Sequence, residues 1–135
     1  MRKDSLKSYI HYRIERSRET FNDSEILADK KRWNSCINRL YYACFYMVFA
    51  LLVKERIQTK THSGVHTMFF KHFIVTQRIS KDFGQLYADL FDWRNEGDYG
   101  DFIDFDESVV LPTLEKVDVF LAELEKIIVA QDQLE

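Results

Sequence analysis

Residues 38–53 read N-R-L-Y-Y-A-C-F-Y-M-V-F-A-L-L-V, and the last fourteen of them are all apolar or aromatic. A run of that length without Gly or Pro reads as helix, because buried strands usually stop after about 4–8 residues. It is apolar on every side, so it predicts the central, fully surrounded helix of a bundle. Asp in place of Phe45 or Phe49 is then expected to abolish folding, since both belong to that core helix. The run falls short of the roughly 20 apolar residues that a bilayer span needs.

The chain around it has 135 residues, enough for one domain, 1–135, with a core of its own. Eleven Phe and seven Tyr exclude disorder, while four Gly and one Pro leave little material for the turns of a β-sandwich. The N-terminal M-R-K-D-S-L-K has no apolar stretch behind it, so the expectation is a cytoplasmic protein with no membrane contact. Cys36 and Cys44 are eight residues apart on the central helix, about 12 Å at helical rise, too far to bridge. They read as reduced core thiols.

Charge is divided along the chain. Residues 1–81 hold 16 Lys/Arg against 7 Asp/Glu, and residues 82–135 hold 3 against 15. Either the basic half faces a polyanion, or the two halves lie against each other within a chain or across a dimer.

Helical periodicity accounts for most of the rest. Leu6, Ile10, Ile14, Phe21 and Ala28 form one stripe of a long first helix. Asn22 and Glu25 resemble a capping box that could interrupt it, and Lys30-Lys31-Arg32 marks its end. The central helix is expected over 33–56. Thr61 or Ser63 caps a third helix that buries Val65, Phe69 and Phe73, and Ser80 caps a fourth with Phe83, Leu86, Tyr87 and Leu90 inward. Gly97 and Gly100 punctuate an acidic segment after it. In the last helix Val110, Leu114, Val117, Leu121, Leu124 and Ile128 alternate by four and three, a seam fit for a dimer contact. Pro112 is expected in its first turn, or as a kink.

Few residue groups suggest chemistry. His62 and His66 would share a helix face, but no carboxylate or cysteine completes a zinc set, so capping or surface roles are expected and no metal. Asp98, Asp101, Asp104, Asp106 and Glu107 do not match a calcium loop and suit the start of a helix. Phosphate-loop, dinucleotide and serine-hydrolase motifs are missing, and no cofactor is expected. One cluster remains, W-R-N-E-G-D-Y at 93–99. Arg94 is the only cation between Lys81 and Lys116. It either neutralises nearby carboxylates or offers its planar fork to a phosphate.

Three blocks resemble one family. N-R-L-Y-Y-A-C-F at 38–45 is similar to the central helix of HEPN domains, the higher-eukaryote and prokaryote nucleotide-binding family. T-H-S-G-V at 61–65 resembles the start of that family's third helix, and R-N-E-G-D-Y at 94–99 the segment after its fourth. The resemblance implies an all-α, up-and-down bundle of about five helices that homodimerises and partners a small nucleotidyltransferase in a toxin–antitoxin-like pair. It also implies a nucleotide- or RNA-binding cleft lined by Arg94, Asn95, Asp98 and Tyr99. Many such domains are metal-independent endoribonucleases whose motif is an Arg followed four to six residues later by a His. Here positions 99, 100 and 101 are Tyr, Gly and Asp. A tyrosine, with its pKa near 10, is a poor proton shuttle at neutral pH, so binding is expected ahead of catalysis. The alternatives are a ribonuclease toxin that uses Arg94 without the His, and a purely structural dimerisation module.

Overall fold

The apolar run lies inside a longer helix, α2, Trp33–Lys54. Around it are α1, Lys3–Asp29; α3, His62–Phe69; α4, Lys81–Tyr99; and α5, Glu107–Gln133. α2 touches all four. The computed structural model describes residues 3–99 and 104–133, with side chains for 4–94 and 104–130. No strand occurs among the described residues, and the fold is the expected all-α bundle.

Residues 40–53 are all buried or half-buried. The half-buried ones, Tyr42, Phe45, Tyr46, Phe49 and Val53, recur at steps of three and four, which is one face of the helix. The expectation of a fully surrounded helix therefore holds on every side but this one, and Phe45 and Phe49 belong to the open stripe rather than to the sealed core. Its edges are Tyr9 and Arg13 of α1, against Phe49 and Tyr46, and His62 of α3, against Phe45. At 22 residues, with a mean hydropathy of 1.6 in its most apolar stretch, α2 is by length and composition able to cross a bilayer, which corrects the shorter reading taken from the run alone. In this fold it spends its apolar surface on the other helices.

α1 runs unbroken through Asn22 and Glu25, contrary to the capping-box expectation. The reason is Ser24. Its side chain is buried and its hydroxyl donates to the Phe21 carbonyl of its own helix instead of starting a new one. Ser17, also buried, donates across to the Ala43 carbonyl of α2 at 2.7 Å, fixing the register of the two helices. α1 then ends at a left-handed Lys31, φ 58°, where Arg32 N–H returns to Leu27 and Lys31 N–H to Ala28. α2 ends the same way at Arg56, φ 60°, with Ile57 N–H on Leu52 and Arg56 N–H on Val53. Both are Schellman ends with a long side chain where glycine is usual. A left-handed L-residue costs about 1–2 kcal/mol. Arg56→Gly is therefore expected to raise the denaturation midpoint by a stability gain of up to about 1 kcal/mol, since glycine's own flexibility returns part of the difference; a thermal melt checks it.

Thr61 caps α3 as expected, accepting from Gly64 N–H at 2.8 Å. α3 continues into a π-helical turn, Phe70–Ile74, in which Val75 N–H reaches back five residues to the Phe70 carbonyl. This turn carries Phe73 into the core beside Phe69. Ser80 Oγ accepts from Phe83 N–H at the start of α4. α4 does not stop at Gly97; its backbone stays helical to Tyr99.

α5 starts behind Asp106, whose carboxylate accepts from Ser108 N–H at 2.9 Å. Pro112 is its sixth residue, one turn later than expected. Val110, Val117, Leu121, Leu124 and Ile128 are all fully or almost fully buried against the body of the same chain. The seam is thus occupied intramolecularly and is not a dimer contact. The basic and acidic halves also meet within the chain, where Arg18 pairs with Glu125 at 3.1 Å and Asp118 at 3.7 Å.

Candidate functional site

Beside the open stripe of α2, three helices bring together residues that are far apart in sequence. Tyr41 of α2 is fully buried, with its ring stacked on Tyr87 of α4 at 6.1 Å between centres. Its hydroxyl lies 2.8 Å from Nδ1 of His62, the first residue of α3. The imidazole lies flat on Phe45, 4.2 Å between ring centres and 4° from parallel. Tyr42 closes the edge of the same imidazole at 5.8 Å.

Arg94, near the end of α4 and half-buried, holds its guanidinium carbon 5.5 Å from the Tyr41 ring centre and 5.6 Å from that of Tyr42. Cation–π contact at such distances is worth about 0.5–2 kcal/mol and fixes the plane of the fork. A second guanidinium, Arg39, stands 5.0 Å from the Tyr42 ring centre and donates to Asn38 Oδ1 at 2.7 and 3.1 Å. The N-R-L-Y-Y-A-C-F block therefore supplies both the floor of the site and part of its positive rim.

The electrostatics follow from burial and from Arg94. Burial pushes the Tyr41 phenol up to about 12, with the Arg94 charge opposing, so it stays protonated near neutral pH. Burial lowers the pKa of His62, and the Arg94 charge lowers it further, so its ring is neutral at pH 7. His66, packed against Phe70 and Phe91 at 4.6 and 4.7 Å, is lowered by burial too, with Asp92 acting in the opposite sense. Both cysteines are buried and free, and burial raises both thiols, Cys36 to about 11.

Of the residues expected to line the cleft, Arg94 is placed at the aromatic site; the side chains of Asn95, Asp98 and Tyr99 lie outside the described residues, as does Asp101. His62 was expected as a cap or surface residue, whereas Thr61 is the cap and His62 packs inward on Tyr41 and Phe45. Spacing along one helix gives no sign of this, because its partners come from α2 and α4. Among the described residues no set of three or more His, Cys, Asp or Glu is placed to hold a metal. Asp106 acts at the start of α5, where hydrogen bonds from Ser108 hold its carboxyl below the usual range.

Comparison with known proteins bears on the same blocks. The sequence model of the HEPN domain matches residues 10–128. A UPF0332 protein of Thermotoga maritima is 38% identical over 119 residues, covering 88% of this chain and 90% of its own. A protein of Methanocaldococcus jannaschii named "Putative toxin MJ0142" is 30% identical over 121 residues, covering 90% of this chain and 82% of its own.

Proposed function

Since the chain belongs to the HEPN domain family, we propose that it is a toxin-like protein whose aromatic cleft binds the phosphates of RNA or of a nucleotide through Arg94. The observation that supports this most is the posture of Arg94. Its guanidinium rests on the faces of Tyr41 and Tyr42, and a second cation, Arg39, stands on the same Tyr42 ring. An anion is the ligand such a place selects, and the half-buried aromatic stripe of Tyr42, Phe45 and Tyr46 beside it offers stacking for bases. Names of relatives as toxins favour a role in a toxin–antitoxin-like pair. In that role the protein is a cytoplasmic homodimer, and its partner is a small nucleotidyltransferase. The dimer then uses a surface other than the α5 seam.

Titration of wild type with labelled single-stranded RNA and labelled nucleotide tests the cleft. Arg94→Lys is expected to lose about tenfold in affinity, because a point charge does not reproduce the fork, and Arg94→Ala more, in a protein that still folds although it loses the cation–π contacts, about 0.5–2 kcal/mol. No binding by wild type above background, or equal binding by Arg94→Ala, overturns the reading.

A further inference from the structure

The site holds more than a phosphate clamp. Tyr41, His62 and Arg94 come from three helices, and the histidine among them has one nitrogen engaged. With the proton on Nδ1, that nitrogen donates to the Tyr41 hydroxyl oxygen at 2.8 Å and Nε2 keeps its lone pair. The flat stack on Phe45 fixes the ring plane. His62 is only half-buried, so part of its ring is open to solvent. A general base needs a positioned lone pair, an orienting partner behind it and a charge stabiliser beside the reacting group. Here those are His62, Tyr41 and Arg94.

We propose that His62 is the proton acceptor of an RNA-cleaving site, supplied by α3 in place of the histidine absent from positions 99–101. The proposal rests on the reading that RNA phosphate binds at Arg94. In the step, His62 Nε2 takes the proton of a ribose 2′-hydroxyl. The 2′-oxygen attacks the adjacent phosphorus, and the bond from phosphorus to the 5′-oxygen breaks, its electron pair staying on that oxygen. Water protonates the leaving 5′-oxygen, and the imidazolium returns its proton to solvent. The products are a 2′,3′-cyclic phosphate and a 5′-hydroxyl. The Arg94 guanidinium balances the charge that builds on the phosphorane oxygens. Tyr41 is a positioning residue; its own phenol is too buried to lose a proton.

Among the described residues, the polar groups facing His62 are the phenols of Tyr41 and Tyr42 on α2 and the guanidinium of Arg94 on α4. The acid limb of a rate profile is assigned to His62, the proton acceptor. That limb is expected below the ordinary histidine range, because burial and Arg94 both disfavour the imidazolium.

The test uses the full chain, in EDTA, with two probes: an end-labelled short single-stranded RNA for cleavage and its 2′-O-methyl form, which has no nucleophile, for binding. Wild type is expected to cut the first and bind the second. His62→Gln is expected to lose about 10²–10⁴-fold in cleavage rate and to bind the 2′-O-methyl probe as wild type does. Tyr41→Phe is expected to slow cleavage and move the acid limb, and it reads the same proposal should His62→Gln not fold. Wild type that binds the probe but does not cut RNA, or His62→Gln that cuts at the wild-type rate, overturns the role of His62 and leaves binding at Arg94 standing. Wild type that binds neither probe overturns the binding reading and this proposal with it.

Discussion

Met47→Asp is expected to yield a chain that does not fold. Met47 has no solvent exposure and sits on the sealed side of α2. A carboxylate there loses its hydration and gains no cation. Even after it takes up a proton the cost is several kcal/mol, against a total stability of about 5–15 kcal/mol. Phe45→Asp and Phe49→Asp are expected to be milder, because both positions lie on the half-open stripe, where a carboxylate reaches water. Circular dichroism and chemical denaturation of the three variants make the comparison. Equal loss of folding in all three would mean that the stripe is sealed, and a cooperative transition in Met47→Asp would mean that α2 is not the core helix.

Leu121→Ala is expected to cost about 2–5 kcal/mol, the range for truncating a fully buried leucine, and to leave the association state of the folded protein unchanged. Both parts follow from where the α5 seam goes. Leu121 is filled in against its own chain, so its loss leaves a cavity inside one subunit. Denaturant titration reads the stability, and light scattering of the variant under native conditions reads the mass. A variant as stable as wild type but shifted toward monomer would return the seam to the subunit interface.

These two positions also show what a linear pattern conveys. The heptad spacing of α5 identified five of the buried residues, because periodicity reports which side of a helix is apolar; it missed Phe120, fully buried beside them, and included Leu114, which is half-buried. It did not say what covers that side, since a partner subunit and a neighbouring helix demand the same residues. The apolar run of α2 has the converse weakness. With no polar residue to mark a face, its open stripe is invisible until α1 and α3 are in place. α1 was misread at residues 22–25 because Asn22 and Glu25 have the spacing of a capping box, whereas the helix runs on through them with Ser24 a buried donor to the Phe21 carbonyl. Lys31 and Arg56 gave no sign that two helices end in left-handed residues, for which glycine is the usual mark. Thr61 and Ser80 were legible as caps, since capping is local chemistry. Arg94 stood out as a candidate by its isolation among carboxylates, and its packing on Tyr41 and Tyr42 was not visible in the sequence. His62 was not, because its environment is assembled from Tyr41, twenty-one positions earlier, and Arg94, on another helix.

The π turn at Phe70–Ile74 has a bearing on how this chain can differ from its relatives. A π turn closes its hydrogen bond one residue later than an α turn, so at the end of this helix it holds one surplus residue. Losing that residue from the gene would tighten the turn to ordinary helix, with the exposed link after it taking up the change in phase. Length variation by a single codon is therefore best absorbed here, between the His62 helix and the helix that carries Arg94. An alignment gap of one position at 70–75 would record drift in spacing, not a different architecture.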